Sequence, residues 1–180
     1  EQAETFLSIS GISQKQRYVY VNPTARWQSK FWIAPRWAAL GDRLEAAGVR
    51  IVFGGSPGDL AHIEMIASAM RHTPAIAAGH LSLTASAALM KKAAAYVGVD
   101  TGPMHMAAMA GTPVVALFGP THPERVGPYG MNNVVIQADG VECLCCRKRV
   151  CADSACMKGI DVETVYDRVM ALIEKRQGAG

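Results

Sequence analysis

From Val97 to Ala108 the chain reads Val-Gly-Val-Asp-Thr-Gly-Pro-Met-His-Met-Ala-Ala, an apolar strand run that passes through Asp-Thr-Gly straight into a helical pattern. Pro103 marks the change, because proline fits the first turn of a helix, where its missing N–H would have had no partner. So abrupt a change constrains the fold, since the helix must start at the carboxyl edge of a sheet. Its first N–H groups and the positive end of its dipole then point outward and form a seat for phosphate. Asp100, Thr101, Gly102 and His105 all lie within reach of a ligand held there. His105, one turn into the helix, reads as ligand-facing rather than as a core histidine. Asp100 would repel a phosphate unless it meets a sugar hydroxyl or caps the helix, and both readings stand at this point.

Short β-rich runs alternate with helical patterns along the rest of the chain. Tyr18–Asn22, Arg50–Phe53, Ala75–Ala78, Tyr96–Val99, Thr112–Phe118 and Val134–Gln137 read as strands. Trp32–Ala47 reads as an amphipathic helix with Trp37, Leu40, Leu44 and Ala47 on one face and Gly48 as its stop. Asp59 is expected to cap a helix running to about Met70, and Ser82 one running to Lys92. A last helix spans Asp161 to Arg176, with Val162, Val165, Val169, Leu172 and Ile173 on its apolar side. Strands that are nearly continuous apolar runs are covered on both faces. The expected fold is therefore α/β: an open, doubly wound, mostly parallel sheet with right-handed crossovers. Ligands of such sheets sit beyond the carboxyl ends of the strands. Residues 1–17 are polar and unpatterned and read as a lead-in or leftover linker, which leaves 18–177 as the domain.

Composition excludes other classes. Half of the 180 residues are apolar and 18% are charged, which suits a packed domain and not a disordered chain. No apolar run approaches the roughly 20 residues that span a bilayer. The polar, acidic start has no signal-peptide pattern, and the cytoplasm is the expected compartment. A net charge of +3, with no basic stripe interleaved with aromatics, argues against a nucleic-acid partner. The chain opens on Glu1 rather than methionine, which points to processing or to a piece of a longer protein.

Three further loops join the first at the strand ends. Asn22-Pro-Thr24-Ala-Arg-Trp-Gln-Ser-Lys30 pairs a hydroxyl with a mobile cation, sensible phosphate chemistry; the bland reading is a surface loop with incidental charges. Gly54-Gly-Ser-Pro-Gly-Asp59 either lets backbone approach a ligand or only makes a tight turn. It is neither a P-loop nor a dinucleotide fingerprint. Phe118-Gly-Pro-Thr-His-Pro-Glu-Arg125 and the residues through Gly130 read as a shaped loop over the site, from which Thr121 or Arg125 could face a phosphate.

All five cysteines fall between positions 143 and 156. Cys143, Cys146, Cys151 and Cys156 could hold a structural zinc, although the spacing is not that of a zinc ribbon. Disulfides and unligated thiols compete with that account. Arg147, Lys148 and Arg149 within the cluster read as a solvated face, or else as a contact for an anionic membrane surface or a phosphorylated acceptor.

With these motifs assembled, the chain resembles the carboxyl-terminal half of the bacterial lipopolysaccharide heptosyltransferases, a GT-B glycosyltransferase family. The resemblance covers nearly all of 18–177 and rests on Asn22-Pro-Thr with Lys30-Phe-Trp32, Gly54-Gly55, Val99-Asp-Thr-Gly-Pro-Met-His105, Leu117-Phe-Gly-Pro-Thr-His-Pro123 and the cysteine tail ending in Cys156-Met157. It implies a Rossmann-like half that binds an ADP-heptose donor. Thr24 and Lys30 match the family's phosphate-contacting loop; Asp100, Thr101, Gly102 and His105 match its strand-to-helix donor site. Asp59 stands near the family's ribose-contacting acid, and Leu81 where a methionine can lie near the adenine. Ala25 departs from the second hydroxyl that relatives often carry.

The implied reaction is an inverting displacement that needs no cofactor, with Lys30 and His105 stabilising the leaving diphosphate. Its general base would lie on an amino-terminal domain that also receives the lipopolysaccharide core acceptor, with the cytoplasmic face of the inner membrane as the implied place of contact. No catalytic base is then expected in this chain, which should bind donor without transferring sugar. A sugar-nucleotide epimerase using UDP-sugars, a stand-alone sugar-nucleotide-binding module and a metal or redox module are the competing readings.

Overall fold

The computed structural model describes residues 1–178. Six strands form one parallel sheet: β1 Tyr18–Asn22, β2 Arg50–Phe53, β3 Ala75–Ile76, β4 Ala95–Val99, β5 Val114–Leu117 and β6 Asn133–Ile136. Their order across the sheet is β3-β2-β1-β4-β5-β6, with Val21 in register with Phe53 on one side and Val97 on the other. This is the doubly wound order in which the chain reverses direction between β1 and β4, the place where such sheets open a ligand crevice.

The pleat divides the core into two layers. Val19, Val21, Ile51, Phe53, Val97, Val99, Val115 and Leu117 pack on one face under α2 (Ala34–Ala46), α3 (Leu60–Ser68) and α8 (Val162–Gly178). Tyr18, Tyr20, Val52, Tyr96, Val114, Ala116 and Phe118 face the other way, toward α4 (Leu83–Lys92) and α5 (Gly102–Met109). Both faces are thus dry, which explains the unbroken apolar strands. Two further helices, α6 (Pro123–Val126) and α7 (Ala155–Lys158), are single turns.

The structure corrects several expectations. Residues 1–17 are not merely a lead-in: Gln2–Ile9 forms helix α1, which lies on α4 and buries Ala3 and Phe6, while Ile12 is buried just beyond it. Helix α2 starts at Ala34 and not at Trp32, since Pro35 sets the first turn. Trp32 is instead fully buried before the helix, with its indole N–H donating to Ile160 O at 2.9 Å. Asp59 does not cap α3 through its side chain: a 3₁₀ turn over Pro57–Asp59 carries its carboxylate back to Ser56, accepting from the backbone N–H at 2.7 Å and from Oγ at 2.6 Å. Gly54 serves packing, because a Cβ there would fall 1.9 Å from the Tyr20 hydroxyl. Ser82 caps α4 as expected, accepting from Ala85 N–H at 3.2 Å. Among the described residues no helix is long and apolar enough to cross a membrane.

Candidate functional site

The loops after β1 and β4 meet at the point where the sheet reverses, and two adjoining cavities open there. Thr101, extended at φ −159°, stands between β4 and α5 as the residue before the helix; Gly102 opens that helix with its N–H outside the helical ladder, and Pro103 follows in the first turn. Helix α5 therefore aims its N-terminus into the crevice, as the sequence motif required.

One cavity, of about 540 Å³, holds Lys30, Asp100, Thr101, Gly102 and His105. The other, of about 430 Å³, holds Thr24, Asp59 and Leu81. Arg26 and Thr101 line both and mark their junction. The sequence-derived candidates thus fall into two groups in neighbouring chambers.

In the first chamber Asp100 is a hub. Its carboxylate Oδ2 accepts from Lys30 Nζ at 2.7 Å and from Thr121 Oγ1 at 2.7 Å, and Lys30 Nζ also reaches the Asp100 backbone oxygen at 3.2 Å. The side chains of Lys30 and Asp100 are only 15% and 8% exposed. Asp100 therefore does not cap α5, which has no side-chain cap; burial beside Lys30 gives its charge a better partner than the exposed helix end. Lys30 also lies over the Trp27 ring, 4.7 Å from the centroid. Thr121, buried on the loop after β5, closes the network. His105 is half-buried on the chamber wall.

Four further basic side chains line this chamber: Arg26, His122, Arg125 and Arg147. Of these the sequence offers Arg125, as an alternative to Thr121, for a phosphate. Arg147 lies in a run that reads locally as a solvated face, or else as a contact for an anionic membrane surface or a phosphorylated acceptor, and long-range hydrogen bonds of its loop bring it here instead. The chamber is strongly cationic, with Asp100 already engaged by Lys30 and Thr121.

The second chamber differs in chemistry. Leu81, Met90, Met106 and Pro103 give it apolar walls, and Asn22, Asp59 and Tyr20 give it polar edges. Asn22 donates from Nδ2 to Thr24 O at 2.9 Å, while its Oδ1 is buried with no hydrogen-bond partner among the described residues. Burial pushes the Tyr20 phenol above its ordinary value, so it stays an uncharged hydroxyl at neutral pH.

The cysteine cluster does not assemble as a zinc site would. Among the described residues no three His, Cys, Asp or Glu side chains converge to hold a metal ion, and all five thiols are free. Cys156 is buried against Gly119, where a Cβ would meet its Sγ at 2.7 Å, while Cys143 and Cys146 are exposed. Burial, with the other cluster thiols nearby, raises the Cys156 thiol above its ordinary value.

Residues 1–156 match glycosyltransferase family 9 (heptosyltransferase). The lipopolysaccharide heptosyltransferase 3 of Escherichia coli is 38% identical over 122 residues, which is 66% of this chain and 36% of that protein. The crystal structure of the glycosyl transferase family 9 from Veillonella parvula DSM 2008 superposes with a TM-score of 0.87 at 29% identity, covering 97% of this chain and 51% of the other. The E. coli ADP-heptose lps heptosyltransferase II superposes with a TM-score of 0.83 at 22% identity, covering 98% and 52%, and so shares the fold. The chain spans about half the length of these structures. Matched along most of its length, the chain belongs to glycosyltransferase family 9, the heptosyltransferases.

Proposed function

We propose that this chain is the donor-binding half of an inverting glycosyltransferase that takes ADP-heptose and adds heptose to the inner core of lipopolysaccharide. The observation that carries this reading is the pair of unlike chambers joined at Thr101, at the N-terminus of α5 and the reversal point of the sheet. A nucleoside diphosphate has the same division, a flat apolar base with a polar ribose followed by two or three negative charges. Leu81, Met90 and Met106 suit the base, and Asp59 and the unpaired Asn22 Oδ1 suit hydroxyl or amino donors. The diphosphate then crosses the α5 N-terminus, where Thr101 and Gly102 offer backbone N–H groups, into the cationic chamber. Heptose as the transferred sugar comes from the family.

The reaction is a displacement at the anomeric carbon. An acceptor hydroxyl oxygen forms the new bond as the bond from that carbon to the diphosphate oxygen breaks, with inversion, and the acceptor proton passes to a general base. Lys30, His105 and the α5 N-terminus are the groups of this chain placed to take up the charge that grows on the departing diphosphate. We assign the base and the lipopolysaccharide acceptor to a second domain outside this chain, as in the family it resembles. The compartment we assign is the cytoplasm.

Calorimetric titration with ADP, UDP and CMP tests the reading. We expect saturable binding of ADP, weakened about tenfold by His105→Ala, the equivalent of one hydrogen bond to a charged group. Preference for UDP would move the assignment to another sugar nucleotide, and no binding of any of the three would defeat it.

A further inference from the structure

The cysteine-rich segment is fastened to the rim of the cationic chamber by its backbone. Cys145 N–H donates to Gly119 O at 2.9 Å, and Arg147 N–H to Pro120 O at 2.7 Å. From the other side, Ser29 donates to the same segment, its N–H to Arg149 O at 3.2 Å and its Oγ to Lys148 O at 2.6 Å. The Cys145 thiol adds a bond to Thr121 O at 3.4 Å, and Arg149 lies 5.4 Å from the Trp27 ring centroid. The segment therefore bridges the loop after β1 and the loop after β5, both of which build the chamber.

This fastening forces an unusual backbone. Cys145 and Arg147 stand at φ +60° and +59°, a region that glycine occupies freely and side-chain-bearing residues avoid. Such conformations persist where surrounding contacts over-determine them, and they cluster at ligand clamps. What the strained turn delivers is the Arg147 side chain, which lines the chamber with Lys30 and His105. The charge of Lys30 is already answered by Asp100, whereas Arg147 makes no ion pair among the described residues. Arg147 borders only the cationic chamber and not the nucleoside one. A guanidinium presents a planar fork that can hold two oxygens of one phosphate.

We infer that Arg147 binds the sugar-bearing, terminal phosphate of the nucleotide donor, and that the cysteine-rich loop is the brace that holds it there. The inference rests on the donor reading above and deepens it: the site takes a nucleoside diphosphate, and its distal phosphate is read by a residue that is not among the donor-site residues named so far.

The test titrates this chain with ADP and with AMP, which lacks the terminal phosphate, and compares the wild type with Arg147→Ala, Arg147→Lys and Arg147→Gly. Arg147→Ala should weaken ADP about tenfold, the loss expected for a charge-assisted pair of hydrogen bonds, and leave AMP within about twofold. Lysine should recover only part of the loss, because a point charge cannot reproduce the fork. Glycine relaxes the backbone at this position, so an equal loss of ADP binding with an unchanged melting temperature assigns the effect to the side chain and not to the fold. Unchanged ADP binding in Arg147→Ala, while His105→Ala still weakens it, overturns the Arg147 assignment and leaves the donor reading standing. Equal losses of ADP and AMP also overturn it, since the loop would then only shape the crevice. A wild type that binds no ADP removes both.

Discussion

At the scale of single residues, the chemistry of the crevice turns on Asp100. An aspartate beside a phosphate seat is electrostatically awkward, and the structure shows how the difficulty is met. Its Oδ2 accepts from both Lys30 and Thr121, so the largely buried carboxylate is matched by both partners. Exposed ion pairs contribute little, but a shielded and hydrogen-bonded pair contributes more, because removing one partner leaves the other charge desolvated and alone. Lys30→Ala should therefore lower the unfolding free energy by about 1.5–3 kcal/mol, the range for a hydrogen bond to a charged group. A double-mutant cycle of Lys30→Ala with Asp100→Asn, followed by urea unfolding, should return a favourable coupling above about 1 kcal/mol. A coupling near zero would reduce the pair to an ordinary surface contact. The sequence placed both residues at the site but not their bond, because 70 positions separate them and only the pairing of β1 with β4 brings their loops together.

At the scale of elements, α8 illustrates what local sequence can specify. Val165, Val169, Leu172 and Ile173 are buried against the sheet and α2 at helical spacing, and Asp161 supplies the N-terminal cap. Its carboxylate accepts from Thr164 N–H at 2.8 Å and from Thr164 Oγ1 at 2.7 Å. These bonds hold the carboxyl below its ordinary value of 3.8, the backbone bond being the larger cause. A folded-state value that is depressed adds stability above the unfolded value, and the gain disappears as pH falls through the folded one. Asp161→Ala should thus cost about 1 kcal/mol at pH 6, and the gap from wild type should be narrower at pH 3 than at pH 6. A gap of the same size at both pH values would assign the loss to helix propensity and not to the charged cap. Such caps and stripes are legible because their partners lie three or four residues apart. Helix α1 was not legible for the converse reason. Its eight residues bury only Ala3 and Phe6, too few to make a stripe, and its contact with α4 is what selects the helix. Arg147 is the extreme case, since hydrogen bonds to Gly119, Pro120 and Ser29 determine where it lies.

At the scale of the whole molecule, the position of the crevice has a thermodynamic consequence. Its walls come from both halves of the sheet, with Thr24, Lys30 and Asp59 following β1 and β2 and with Asp100, His105 and Thr121 following β4 and β5. A ligand that spans both chambers ties the two halves together, and one that binds only the native state raises the stability of the entire cooperative unit. At a hundred times its dissociation constant, ADP should add about 2.7 kcal/mol. For a domain of 180 residues that corresponds to a rise in melting temperature of about 5–10 °C. The rise should occur in a single transition, because both halves share one sheet, and UDP at the same concentration should give less. Two transitions, only one of them moved by ADP, would show that the ligand touches one half alone and that the chambers do not form a continuous site. The same sample, given ADP-heptose and a lipopolysaccharide core acceptor, should show the stabilisation without sugar transfer, because we assign donor binding and leaving-group stabilisation to these loops and the proton acceptor to a second domain. Turnover by the isolated chain would instead require a base among the residues already present, and it would return attention to the half-buried His105, the imidazole that α5 itself places on the chamber wall.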